Sequence, residues 1–312
     1  MSTATIPRLL PLQFAALALT WGSSFLFMRI GLDGLSPIQV VVVRMTLGSL
    51  TLLGLCLAMR IKLPREPRTW AHISVVSVLL CVIPFTLFAW ATQHIPSGLA
   101  SIYNATTPLM TLLVTLVALR SERPHRFQLL GLGIGLVGLM MVLAPWQIDD
   151  DLNSPSFTAQ LACLTATVSY GIAFVYLRKF VSPLGVAAVS VATIQVSVGA
   201  ALLLVTVPFM DWNGLTLSPS VVSSMVALGV FGTGLAYIWN TNIVAGWGAT
   251  VASSVTYLSP VIGVALGALI LSETITWNQP IGAAVVITGI ILSRRTPAES
   301  SMGSLHPSHR AH

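Results

Sequence analysis

The sequence predicts an all-α integral membrane protein of ten transmembrane helices, arranged as two inverted five-helix repeats. Three observations predict it: scarcity of charge, ten apolar runs of membrane-spanning length, and an internal repeat holding an odd number of runs per copy. Charged residues make up 8% of the 312-residue chain and hydrophobic residues 55%, whereas soluble domains carry about 25% charged residues. So few charges cannot cover a water-soluble protein of this size, so the remaining surface must face lipid. A bilayer core of about 30 Å takes roughly 20 apolar residues of helix. The runs that meet this need are 10–31, 37–59, 70–92, 97–119 and 127–146, then 157–178, 184–208, 219–243, 248–271 and 278–295. Breaker residues separate them, at Ser36-Pro37, Pro64 to Pro67, Pro96, Pro124, Pro145 to Pro155, Pro183 and Pro219.

The first run could mimic a secretory signal peptide, since Arg8 precedes it and Ala16-Leu17-Ala18 lies inside it. It continues to Ile30, long enough to span, and is read as a retained first helix. The chain then divides into an N-terminal segment 1–9, a first five-helix repeat 10–147, a linker 148–156, a second repeat 157–295, and a tail 296–312. That tail is polar, rich in Ser and Pro, and read as disordered.

Charge placement orients the chain. Ten spans put both termini on one side. If that side is the cytoplasm, it holds Arg8, Arg60, Lys62, Arg65, Arg68, Arg120, Arg123, Arg126, Arg178, Lys179, Arg294, Arg295 and Arg310, thirteen of the fifteen basic residues. The other side receives Asp33, Asp149, Asp150, Asp151, Asp211 and Glu273. This is the positive-inside pattern, and it places both termini in the cytoplasm and the linker in the periplasm of a bacterial inner membrane. It also accounts for the net charge of +6 without a nucleic-acid partner. The expected partners are membrane lipids and a small-molecule substrate, with a monomer as the working expectation. Cys56, Cys81 and Cys163 all lie in apolar runs and read as free, buried thiols.

The repeat is visible in register. Ala100 to Pro108 matches Ala252 to Pro260, and Ser121-Glu122 matches Ser272-Glu273. Gln128, Gly131 and Gly138 then match Gln279, Gly282 and Gly289. A copy holding five spans must re-cross the membrane upside down, so the halves are expected to be related by a pseudo-two-fold axis in the membrane plane.

These residues also carry a resemblance. Trp21-Gly22-Ser23-Ser24 in the first run, Arg44 in the second, and the paired segments ending in Pro108…Glu122 and Pro260…Glu273 resemble the EamA-type transporters of the drug/metabolite transporter superfamily. The resemblance runs from Leu10 to Ser293 and is greatest to aromatic amino-acid exporters of the YddG type. It implies a secondary transporter that exports small organic metabolites, amino acids first, by alternating access through a central cavity. Another solute class, such as a drug, sugar or nucleotide-sugar, is the alternative.

Candidate pathway residues follow. Arg44 lies two turns into its run, where an arginine costs a few kcal/mol unless it faces protein or water. Two readings stand: an anchor for a substrate carboxylate, or a structural arginine bound to helix-end carbonyls. Arg29 is expected to snorkel to the outer interface. Pro108 and Pro260 break matching helices, and paired breaks point to a transporter's central site. Beside them Tyr103, Asn104, Thr107, Thr256 and Tyr257 are expected to line the pathway, the alternative being helix-to-helix hydrogen bonding. Tyr237, Trp239 and Asn240 in the eighth run join them, with Trp21 from the motif in the first. The cavity is expected between helices one, three, four, six, eight and nine, with Tyr103, Asn104, Tyr237 and Trp239 facing it. Trp90, Trp146, Trp247 and Trp277 read as interfacial aromatics, and His94 as a satisfied histidine at a helix end.

Other chemistry lacks support. Gly133-x-Gly135-x-x-Gly138 copies a dinucleotide fingerprint but lies inside a span, where it serves helix packing. Asn104-Ala105-Thr106 copies a glycosylation sequon but lies in the membrane. No HExxH, CxxC or Walker-type motif occurs, so no metal, cofactor or ATP drive is expected. No Asp, Glu and His cluster supplies an embedded enzyme, and no charged ring supplies a channel filter. Every carboxylate falls in a loop, a tail or a helix end, so gradient-driven exchange without proton coupling is expected.

Overall fold

Proline and serine set where the helices begin. Pro37, Pro67, Pro155 and Pro219 each occupy a first helical position, where a missing N–H costs nothing and φ is already helical. Before Pro37 a capping box closes the end: the Ser36 N–H donates to Gln39 Oε1 at 2.8 Å. Before Pro219 the Ser218 hydroxyl accepts from the Val221 N–H at 3.3 Å.

The protein is represented by a computed structural model that describes residues 6–118, 126–143, 155–212, 214–247, 252 and 254–293. Among these residues every regular element is helical. The helical stretches are α1 (Ile6–Gly31), α2 (Pro37–Ala58), α3 (Pro67–Ala91), α4 (Ser97–Ala118), α5 (Arg126–Leu143), α6 (Pro155–Leu184), α7 (Ala188–Phe209), α8 (Pro219–Trp247), α9 (Leu258–Leu271) and α10 (Asn278–Ser293). Seven of them, α1 to α4 and α6 to α8, are long and apolar enough to cross a membrane; α5, α9 and α10 are shorter. The expectations for Arg120, Arg123, the Asp149–Asp151 linker, Trp146 and the tail 296–312 lie outside the described residues.

Several helices depart from regularity. α4 breaks into a turn at Ala105 and Thr106. Pro108 has no N–H for the Asn104 carbonyl, and the Thr107 hydroxyl donates to that carbonyl instead, at 2.7 Å. At the matching point before Pro260, Ser254–Tyr257 forms a 3-10 turn. α9 runs from Leu258; residues 248–251 and 253 of the expected run lie outside the described residues. Three further departures have no counterpart in the sequence reading: π segments at Val78–Val82 in α3, at Leu177–Val181 in α6 and at Ala227–Leu235 in α8. π segments inside α-helices cluster at functional sites.

Packing partners recur when each helix is exchanged for the one five places along. α1 packs on α8 and α9, and α6 packs on α3 and α4; α2 packs on α8, and α7 on α3. The pairs α2 with α7, α4 with α9 and α5 with α10 join the matching helices themselves. At α5 and α10 the direction can be read. A Cβ on Gly138 would stand 2.8 Å from the Gly282 carbonyl oxygen, and one on Gly289 would stand 2.5 Å from the Gly131 carbonyl oxygen. So Gly138 faces Gly282 while Gly131 faces Gly289, and α5 and α10 run antiparallel. Without a hydrophobic drive between helices in lipid, such close glycine contact is what dispersion packing needs.

Candidate functional site

Glycines bring α2 against the π segment of α8. A Cβ on Gly48 would collide with the Thr233 side chain, and one on Gly229 with the Leu47 side chain. That approach lets Arg44 reach across: its Nε donates to Thr233 Oγ1 at 2.8 Å. Its guanidinium carbon lies 3.5 Å from the centre of the Phe85 ring on α3, within the range of a cation–π contact. Arg44 is only 5% exposed. Among the described residues the one ion pair joins Arg29 and Asp33 at 3.3 Å, so Arg44 has no carboxylate partner. Among the described residues no helix-end carbonyl accepts a hydrogen bond from Arg44. Arg44 also lines a cavity.

That cavity is walled by Trp21, Ser24, Phe25 and Met28 of α1, Arg44 of α2, Leu80, Phe85 and Phe88 of α3, Asn104 of α4, Tyr170 and Phe174 of α6, Tyr237 of α8, and Thr256 before α9. It measures about 40 Å³. Two aromatic groups form the wall. Trp21 meets Tyr237 at 5.9 Å and Phe85 meets Tyr237 at 6.4 Å between ring centres. Phe25 meets Phe88 at 5.3 Å, and Phe88 stacks on Tyr170 at 6.1 Å.

Side chains from neighbouring helices take up carbonyls in the π segments. Trp21 Nε1 donates to the Gly232 carbonyl at 3.2 Å and Tyr237 Oη to the Leu80 carbonyl at 3.1 Å. Ser169 Oγ donates to the Leu79 carbonyl at 2.7 Å. α1 thus serves α8 as α6 serves α3, the same exchange seen in the packing. These bonds hold the aromatic wall at the height where both helices are irregular.

Of the residues expected from the sequence, Trp21, Arg44, Asn104, Tyr237 and Thr256 come together on this wall. Others are elsewhere. Tyr103 is fully buried and its hydroxyl donates to Gln160 Oε1 of α6 at 2.7 Å, so it ties α4 to α6 instead of facing the cavity. Thr107 closes the break in its own helix. Trp239 is half-buried at the edge of the core; two positions from Tyr237 on a helix, it points to nearly the opposite side. Asn240 is 1% exposed, and neither its Oδ1 nor its Nδ2 has a partner among the described residues. Pro108 and Pro260 are buried beside the breaks, off the wall. Tyr257 closes the 3-10 turn, and its side chain lies outside the described residues.

The sequence reading missed Tyr170 and Phe174. A signal was available: Trp21 and Phe25 are an aromatic pair four apart in the first helix of one half, and Tyr170 and Phe174 repeat it in the other. It also missed α2 as a wall helix, although Arg44 was named. Outside the cavity, Cys56, Cys81 and Cys163 are free and buried as expected; Arg29 pairs with Asp33 at the helix end, and His94 packs 4.8 Å from the Trp90 ring.

Known proteins resemble this chain along most of its length. An uncharacterized inner membrane transporter, YedA, of Escherichia coli (strain K12) is 27% identical over 291 residues, which are 91% of each chain. A "Probable amino-acid metabolite efflux pump" of the same organism is 23% identical, covering 88% of this chain and 90% of the other. A "Probable terminal-alkyne amino-acid exporter" of Streptantibioticus cattleyicolor is 24% identical over 89% and 91%. A crystal structure 19% identical in sequence shares the fold, with a TM-score of 0.69 over 92% of this chain and 98% of that one. The model of the EamA-like transporter family matches twice, at residues 10–144 and 157–295; the chain belongs to that family and is a membrane transporter, not an enzyme.

Proposed function

We propose that this transporter exports small organic metabolites, neutral amino acids including aromatic ones first among them, by alternating access of the central cavity. One observation carries the substrate class: a buried guanidinium on the cavity wall with no carboxylate partner among the described residues. A buried cation is costly unless something compensates it, and the carboxylate of an amino acid fits that need bidentately. The aromatic wall suits the apolar side chain of such a solute. Two relatives named for amino-acid or amino-acid-metabolite export support the same class.

The topology belongs to this proposal. All ten helices cross the membrane, in repeats 10–147 and 157–295 joined by the linker 148–156, with the termini 1–9 and 296–312 in the cytoplasm of a bacterial inner membrane. Antiparallel α5 and α10 support the inversion: the repeat matches Gly131 to Gly282 and Gly138 to Gly289, yet these residues face one another in reverse order. The inner-membrane name of YedA supports the location. The five wall residues Trp21, Arg44, Asn104, Tyr237 and Thr256 hold the substrate, and the irregular segments of α3, α4, α8 and the start of α9 are where the halves flex.

Flux through purified protein tests the reading. Proteoliposomes loaded with a panel of labelled amino acids and sugars should release neutral amino acids faster than protein-free vesicles. Arg44→Gln should abolish that release while purified yield stays near normal. Release of sugars but not amino acids, or full release by Arg44→Gln, would refute it.

A further inference from the structure

Arg44 is the one charged side chain on the cavity wall. The polar groups that share the wall, Ser24, Asn104, Tyr170, Tyr237 and Thr256, are neutral. The described acids lie at helix ends or in connections: Asp33 beside Arg29, Glu66 before α3, Asp211 before α8, and Glu273 against the start of α4. The wall therefore carries one positive charge and no negative one.

That imbalance treats the two ends of an amino acid differently. Its carboxylate can pair with the guanidinium. Its ammonium, one carbon away, is desolvated beside a cation with no anion to receive it. An aromatic face could receive an ammonium only weakly, less than the guanidinium gives the carboxylate, and the ring nearest the anchor, Phe85, is already covered by Arg44 at 3.5 Å. A 2-oxo or 2-hydroxy acid bearing the same side chain brings only the negative charge, and the occupied cavity is then neutral.

We propose that the cavity recognises a carboxylate and an apolar side chain but does not read the α-amino group. Its substrate class then extends from neutral amino acids to the corresponding 2-oxo and 2-hydroxy monocarboxylates, which bind at least as tightly. This rests on Arg44 as the carboxylate anchor and adds what sets specificity beside it.

Calorimetric titration of the purified full-length protein tests it without relying on flux. The ligands are phenylalanine, phenylpyruvate, 3-phenyllactate and phenethylamine, with leucine and its 2-oxo acid as a smaller pair. The oxo and hydroxy acids should bind with a Kd equal to or below that of the amino acid, phenethylamine should not bind, and Arg44→Gln should lose all carboxylate binding. If an amino acid binds and its oxo acid is about tenfold weaker or more, this inference falls while the carboxylate anchor stands. If phenethylamine binds as well as phenylalanine, or no carboxylate binds at all, the anchor and the inference fall together.

Discussion

Glu273 holds the two halves of the transporter together at one end, and the strength of that hold can be worked from its contacts. The residue follows α9, after Ser272, whose backbone is in the left-handed region at φ 54°. Its Oε1 accepts from the Ser97 N–H at 2.8 Å and the Ser97 hydroxyl at 2.7 Å, and its Oε2 from the Gly98 N–H at 3.0 Å. All three donors lie in the first turn of α4, where backbone N–H groups have no helical partner. A hydrogen bond to a charged group contributes about 1.5–3 kcal/mol, and an acid at a helix N-terminus adds roughly 0.3–1 kcal/mol. Water at the helix end recovers part of this, so Glu273→Ala should cost about 2–4 kcal/mol and Glu273→Gln, which keeps an acceptor oxygen, about half as much. At about 2–4 °C per kcal/mol for a domain of 150–250 residues, the alanine variant should melt roughly 5–10 °C lower. Gly267→Ala should do the same without touching the acid, because its Cβ would displace the Glu273 carboxylate. A thiol-reactive fluorophore reports the melt, since Cys56, Cys81 and Cys163 are buried until unfolding. Melting of Glu273→Ala within about 1 °C of the parent would refute the reasoning.

Three further outcomes are expected. Asn240→Leu should raise the melting temperature, because a buried carboxamide with neither atom paired among the described residues costs about 1–3 kcal/mol that a leucine avoids; a lower melting temperature would sink the idea. A cysteine placed at Asn153, in the linker read as periplasmic, should react with an impermeant reagent in intact cells, and protection there would overturn the orientation. A pH gradient across proteoliposomes should not concentrate a neutral amino acid, since the cavity wall holds no carboxylate or histidine; uphill accumulation that collapses with a protonophore would reveal a missed proton carrier, with His94 the first residue to substitute.

Much of the fold was legible because membrane solvation acts on composition directly. A helix that faces lipid must be apolar over its length whatever its neighbours are, so the positions of α1 to α4 and α6 to α8 could be read from runs and breakers alone. The prolines at 108 and 260 marked the irregular points for a reason equally local, the missing N–H. The π segments were not legible. A π segment adds one residue to a turn without a breaker, and Ala227–Leu235 differs from an ordinary small-residue helix only in what packs against it.

The site divides along the same line. Arg44, Trp21 and Tyr237 could be named from the sequence because polar or amphipathic groups deep in an apolar run demand a partner. Which partner each found was a matter of tertiary contact. Tyr103 looked as well placed as Tyr237, but Gln160 of a helix in the other half took its hydroxyl, while Tyr237 turned to the Leu80 carbonyl and kept its ring on the cavity. The amino-acid sequence by itself determined that the chain is a helical membrane protein of two related halves carrying one deeply buried cation, because burial in lipid and repetition are properties of the chain. Only the tertiary structure decided that this cation lines a cavity with no counter-charge among the described residues, because pairing depends on which side chains the helices bring within a few ångströms.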